Sequence, residues 1–490
     1  MKKLVSVVCT CLLFLFVMVV VTHNACKPAP SGEVPITTKS KEARKLFAEG
    51  RDQLELYHID KANDLFKRAL ALDPGFALAQ LYYGASAVDT ADLKAGLAKA
   101  VTLASGATEG ERMLVAWVQA GNLENDAAKA VGICRELAAL YPKDPRVQAY
   151  LAGSYGSIQD DADQLAALEK AIALDPGYAP AHEALGYYHR DRSKDFGKAE
   201  AAFREYARLL PGEANSRDIL GDLYLKMGRF EDAIGAYEEA VRMDPTFYYS
   251  QQKIGSGLYF LGRFEEGRAA YRKAMAMPVR SSIKAYDQEG VMRGYIYEGD
   301  YARALEAADE AIRMAPGLGV PEEATFLMLV KAKIHMESGE LDKADACVGE
   351  CLETLAGSDL IAVIKDDQRA SAAFVQGRIA ADRKDFEKAL AAAESFRSQV
   401  EAMNNPALKK QTNWLLGYIA MAQGEPARAV GLYGPADAID SSVDLYYLGL
   451  AKELSGDAAG AAEIYKKVAD WNGDSAWYAF VRGKAIAKLK

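Results

Sequence analysis

Prolines recur along the middle of this chain with a near-constant step. Pro142, Pro176, Pro211, Pro245 and Pro278 are 34, 35, 34 and 33 residues apart, and Pro74 lies 68 residues before Pro142. Helix-like runs end on matching text: ALALDP at Pro74, AIALDP at Pro176, AVRMDP at Pro245 and the near match AIRMAP at Pro316. Small residues keep the same step, since Ala62, Ala130, Ala199, Ala233 and Gly267 are spaced 68, 69, 34 and 34. A fixed period of this size is the mark of stacked supersecondary units, each too small to bury its apolar face alone. It overrides the estimate of about three globular domains that 490 residues would otherwise suggest.

The clearest copy is Ala214 to Phe247, ANSRDILGDLYLKMGRFEDAIGAYEEAVRMDPTF. Leu220, Gly221 and Tyr224 share one face of a first helix. Ala233, Tyr237 and Ala240 share one face of a second, and Gly228 separates the two. Pro245 stops the second helix because it has no N–H to donate and crowds the preceding turn. This text resembles the tetratricopeptide repeat (TPR), with L-G-x-x-Y on helix A, A-x-x-x-F/Y-x-x-A on helix B and a closing proline. A G-x-φ-x-x-A turn extends the array through Gly299–Ala304, Gly339–Ala344, Lys384–Ala389, Gly424–Ala429 and Gly456–Ala461, at spacings that drift to between 32 and 45. Between Pro74 and Glu111 the copy is weak, with Gly96 where Ala is expected. The resemblance implies an all-α, right-handed superhelical solenoid of about twelve helix-turn-helix repeats. A regular array is expected over 41–316, a degenerate one over 317–475, and a C-terminal capping helix over 476–490.

The first 25 residues read as an export signal or membrane anchor. Met1-Lys2-Lys3 is followed by eighteen residues, 4–21, without charge, Gly or Pro. Ala25-Cys26 resembles the lipobox of bacterial lipoproteins, whose cysteine is lipidated, although His23 stands where that motif prefers Leu. Lipidation at Cys26, an uncleaved anchor and simple secretion all place the folded body outside the cytoplasm, in a bacterial envelope. Residues 26–40, rich in Pro and Ser, are expected to act as a tether.

Sixty-eight acidic against 59 basic residues argue against a nucleic-acid partner, because phosphate recognition calls for a basic face. No catalytic constellation emerges. His182 and His189 are two turns apart, but Gly186 stands where a zinc-protease motif requires its second His. Gly262 to Gly267 has P-loop glycine spacing, yet Arg268-Ala269 replaces Lys-Ser/Thr. Cys347 and Cys351, one helical turn apart, suit buried positions at a helix crossing better than a disulfide, and Cys134 takes the same reading. No metal, cofactor or enzymatic activity is expected. The chaperone-binding subset of TPR domains needs Lys and Asn at positions held here by Phe47 and Arg51, so that activity is not implied.

TPR proteins usually present their A helices on a concave face where a partner segment lies. The resemblance therefore directs attention to Tyr187, Arg190, Tyr249, Gln252, Tyr259, Tyr286, Arg293 and Tyr297, off the core pattern of those helices. Tyr and Arg join apolar area to a directional polar end and commonly anchor interfaces; the competing role for these tyrosines is to fill gaps between repeats. The expected function is a membrane-tethered scaffold that binds a protein or peptide segment in its groove, in the manner of TPR lipoproteins of envelope assembly or secretion. A module for glycans or cell-wall fragments, or an accessory subunit of an enzyme on another chain, are the alternatives.

Overall fold

The computed structural model describes residues 32–87, 90–277, 281–317, 320–403 and 406–490. The export-like segment, Cys26 and Pro278 lie outside the described residues. The described residues form twelve antiparallel helix pairs and one terminal helix. Pairs 1 to 4 are α1 (Lys41–Glu55) with α2 (Ile59–Leu72), α3 (Ala77–Ala85) with α4 (Thr90–Ala104), α5 (Glu109–Asn122) with α6 (Ala127–Leu140), and α7 (Pro145–Ser157) with α8 (Asp161–Leu174). Pairs 5 to 8 are α9 (Ala179–Asp191) with α10 (Phe196–Leu209), α11 (Asn215–Lys226) with α12 (Phe230–Met243), α13 (Tyr248–Phe260) with α14 (Phe264–Met275), and α15 (Ser281–Glu298) with α16 (Tyr301–Gly317). Pairs 9 to 12 are α17 (Pro321–Glu337) with α18 (Leu341–Gly357), α19 (Ala362–Asp382) with α20 (Phe386–Ala402), α21 (Gln411–Ala422) with α22 (Pro426–Tyr433), and α23 (Ser442–Leu454) with α24 (Ala458–Ala469). A single helical turn, Pro406–Lys409, precedes α21, and the terminal helix α25 is Ala476–Lys488. Spacing drifts beyond residue 299 because the helices of pairs 8 to 10 lengthen to 17–21 residues.

In eleven of the twelve pairs, all but pair 2, the described residues include the turn, and it is made in one way. A single residue with positive φ ends helix A: Gly228, Gly262, Gly299, Gly339, Gly424 and Gly456 where the sequence supplies glycine. Tyr57, Asn125, Gln159, Lys194 and Lys384 occupy the same place in other turns. The left-handed residue lets the last carbonyls of helix A find donors before the chain reverses. Glycine adopts it without steric cost, whereas the five other side chains carry some strain. Four of those five precede residue 228, which explains why the turn text is hard to see in the early repeats.

The pairs close over small residues. In pair 6, a Cβ on Gly221 would lie 2.5 Å from the Tyr237 ring, so glycine is what lets α11 rest on that aromatic. In the weak pair 2, Gly84 and Gly96 meet back to back: a Cβ on Gly84 would lie 2.8 Å from the Gly96 Cα. Gly96 is therefore the closest crossing point of α3 and α4, a role a larger Ala could not fill.

The turn from one pair to the next uses the Asp-Pro text directly. Asp73, Asp175 and Asp244 each follow the end of a B helix, and each carboxylate accepts the amide two residues on, at 3.2, 2.9 and 2.8 Å. This Asx turn redirects the chain, and the proline after the Asp cannot extend the helix. AIRMAP behaves differently. Ala315 has no carboxylate to close such a turn, and Pro316 lies inside the last turn of α16.

Successive A helices approach one another more closely than successive B helices do, so the A helices line the inside of the curve. The stack also closes on itself. Helix α25 covers α23 and α24 and docks as well on α15, far back in the array. One continuous apolar cluster joins Tyr237, Phe260 and Ile296 to Trp414, Ile464 and Tyr478. At the other end, residues 34–39 form an extended strap. The amides of Val34, Thr37 and Lys39 donate to Asp144, Glu111 and Asp73, carboxylates from three separate places along the array, at 2.9, 2.7 and 2.9 Å. The segment read as a tether thus lies partly against the body.

Candidate functional site

Packing at one repeat period builds the inner wall. Polar residues on adjacent A helices meet when they are about one period apart. Gln252 donates to Asp287 at 2.7 Å, Lys253 to Asp218 at 2.6 Å, and Tyr187 to Asp222 at 3.5 Å, each pair 35 positions apart. Ser250 and Tyr237 complete the network by donating to Asp218 and Asp222 at 2.6 and 2.9 Å. Burial works to lower the Lys253 pKa, but the two facing carboxylates outweigh it and hold the ammonium charged.

This wall bounds a hollow of about 600 Å³. Arg190 comes from α9, Asp222 and Lys226 from α11, Tyr249, Gln252 and Lys253 from α13, and Tyr286 from α15. The fourth side is Asn472, Gly473 and Asp474, the link between α24 and α25. Burial, with Lys194 and Arg190 nearby, lowers the Lys226 pKa to about 8. Its ammonium donates to the Trp471 carbonyl at 2.6 Å and lies 5.4 Å from the Trp471 ring centre.

The eight residues expected in a groove divide. Arg190, Tyr249, Gln252 and Tyr286 line the hollow, and Tyr286 is the most open at 42 % exposure. Tyr187 is half-buried behind them, its ring under the Arg190 guanidinium at 4.6 Å. Tyr259 is a filler. It is 1 % exposed, stacks on Tyr271 and donates to the Gly290 carbonyl at 2.8 Å, because the absence of side chains at Gly267 and Gly294 leaves room for its ring. Tyr297 packs between Phe260 and Tyr478 of the terminal helix, so α25 covers it. Arg293 faces inward but is 1 % exposed, held by Asp474 at 2.9 Å, Glu289 at 3.4 Å and the Tyr271 hydroxyl at 2.6 Å.

Sequence reading missed Lys226, Lys253, Asp218, Asp222, Trp471 and Asp474. A search for complementary polar residues one period apart would have found the Asp218–Lys253 contact. Nothing local marks Asp474, whose partners are distant in sequence.

Two other hollows flank the first. One, of about 670 Å³, lies within pairs 1 to 4 beside Tyr82, Trp117 and Tyr150, with Trp117 stacked on Tyr150. The other, of about 350 Å³, lies within pairs 9 to 12 beside Phe374, Arg378, Trp471 and Trp477. Arg378 is buried there against Asp444. His182 bonds the Pro176 carbonyl and His189 bonds Ser193, so the two rings serve separate turns. Cys134, Cys347 and Cys351 are free thiols in the core. Among the described residues no group of three or more His, Cys, Asp or Glu is arranged to hold a metal, and no helix is long and apolar enough to cross a membrane.

No curated protein sequence matches the chain. Among solved structures it is similar to TTC0263, a thermophilic TPR protein of Thermus thermophilus, at 22% identity over 44% of this chain and 98% of that one, with a TM-score of 0.29. The human IFIT1 dimer with PPP-AAAA aligns at 15% identity over 88% of this chain and 95% of that one, with a TM-score of 0.40. MamA aligns at 23% identity over 34% of this chain and 92% of that one, with a TM-score of 0.28. The tetratricopeptide repeat family matches residues 215–247, which are pair 6 with its closing turn, and residues 293–347, which run from α15 into α18. Those matches fall on helix pairs that share their turn with the pairs on either side, so the chain carries tetratricopeptide repeats within an all-α array of helix pairs.

Proposed function

We propose that the chain is a non-enzymatic scaffold for protein–protein contact, held at a membrane outside the cytoplasm by its N-terminal segment. One observation carries the contact role. Four consecutive A helices, α9, α11, α13 and α15, present Arg190, Lys226, Tyr249, Gln252 and Tyr286 to a single open hollow. Rings and long cations of this kind bury area while keeping directional bonds, which suits an extended polypeptide. The titrating groups nearby already have partners within the wall, so they serve rigidity.

The membrane role rests on the sequence of residues 1–26. Mass spectrometry of the mature N-terminus, with fractionation of wild type and Cys26→Ser, tests it. A wild-type protein recovered wholly in the soluble fraction would remove the tether from the reading.

A photo-crosslinking side chain placed at Tyr286 tests the contact role in envelope extracts. The expected outcome is a crosslinked protein band that Arg190→Ala/Tyr249→Ala weakens. These two positions serve better than Tyr259, whose loss would disturb the core. Absence of any protein adduct, together with a thermal shift by cell-wall fragments, would favour a glycan-binding module instead.

A further inference from the structure

The C-terminal segment Trp471–Trp477 passes through the interior of the superhelix and divides it. Asn472, Gly473 and Asp474 form a wall of the 600 Å³ hollow, while Trp471, Ser475 and Trp477 form a wall of the 350 Å³ hollow beyond. The segment is held as a bound peptide would be. The Lys226 ammonium takes the Trp471 carbonyl, the Asn472 side-chain amide donates to the Lys226 carbonyl at 3.4 Å, and Ser256 donates to Asp474 at 2.5 Å. Asn472 itself sits at φ 47, in the left-handed region that Asn tolerates better than most side chains.

Arg293 shows why this occupant matters. A guanidinium buried to this degree needs a compensating carboxylate. Of its two, Glu289 is the more distant, and burial pushes its pKa up to about 7. Asp474 is the closer one, and it comes from a link whose side chain is still 24 % exposed. The link is therefore the part of this contact that can leave, whereas α15 and α25 are anchored by buried apolar residues.

We infer that Trp471–Asp474 is a built-in occupant of the groove, and that the partner is an extended acidic segment whose carboxylate replaces Asp474 on Arg293 and whose aromatic ring replaces Trp471 over Lys226. Displacing the link joins the two hollows into one channel along the A helices. The inference rests on the scaffold reading and names the chemistry of its partner.

The probe is a fluorescent peptide of this chain's own residues 469–477, used with the full-length folded protein. Wild type is expected to bind it weakly, and Asp474→Asn about tenfold more tightly, because the intramolecular competitor has lost its charge. A peptide carrying Asn in place of its Asp474 should lose that gain. A second measurement uses only wild type: excess peptide should raise amide hydrogen exchange at 471–474 and leave α25 protected. An Asp474→Asn protein with wild-type circular dichroism that binds no better than wild type overturns the inference, and so does unchanged exchange at 471–474. Since the probe is the chain's own segment, either failure leaves the crosslinking test of an outside partner standing.

Discussion

Arg293 on α15 and Asp474 before α25 form an ion pair of 2.9 Å that ties the eighth helix pair to the end of the chain. With Arg293 1 % exposed, neither charge can be removed alone without leaving the other poorly compensated. Arg293→Met and Asp474→Leu should each lower stability by about 3–5 kcal/mol at most, while the double variant should lose less than their sum. A coupling of roughly 0.5–3 kcal/mol in a denaturant double-mutant cycle is expected. Strict additivity would show that the pair does not act as a unit.

Stability should rise on mild acidification. Burial raises the pKa of Glu183, Asp287 and Glu289 to about 7. Their folded pKa lies above the unfolded value, so the folded state binds more protons. The stability they contribute is present below about pH 4 and is lost as pH rises through about 7. The unfolding midpoint should therefore be higher at pH 5.5 than at pH 8, by ~2 °C or more. Glu289→Gln should reduce this slope. Exposed carboxylates are shifted the other way, Glu266 by the hydrogen bond from the Arg263 side chain and Asp300 by those from the Arg303 backbone amide and side chain, so they do not add to this slope.

The close approach inside pair 6 has a matched control. Gly221→Ala places a methyl 2.5 Å from the Tyr237 ring and should cost about 1–3 kcal/mol. Gly235→Ala on α12 meets nothing within 4 Å and should stabilise the helix by about 0.5–1 kcal/mol. Chemical denaturation of the two variants side by side gives opposite signs if packing, and not helix propensity, governs position 221.

The left-handed turn can be tested in both directions. Gly262 has φ +77 and open space around it, so Gly262→Ala should cost about 1 kcal/mol through backbone strain alone. Lys384 holds φ 61 in the equivalent turn, and Lys384→Gly should be neutral or stabilising by up to roughly 1 kcal/mol. A destabilised Lys384→Gly would mean that the lysine side chain, and not the turn, matters there.

The period, the small residues at Ala62, Ala130, Ala199 and Ala233, and the Asp-Pro endings were legible because they are local. An Asx turn needs an Asp two residues before its donor, and a helix pair needs a small residue at a fixed offset from its turn. Four residues that line the hollow were legible for the same reason: Arg190, Tyr249, Gln252 and Tyr286 lie on the inner face of their own helices. Tyr259 shares that inner face in sequence terms, yet glycines on two neighbouring helices made room for it in the core. Helical spacing describes a helix's own faces and carries no information about what the adjacent pair offers.

The sequence by itself determined the repeat, because each unit of about 34 residues carries the turn, the small residue and the aromatic that its own two helices need. Tertiary structure alone decided that the array closes on itself and that the chain's own C-terminal link, Asn472–Asp474, walls the hollow on its inner face. That closure depends on the small rotation from each pair to the next, summed over the pairs between α15 and α25. A small angular difference at each step moves the far end by many ångströms, and no local pattern encodes the sum.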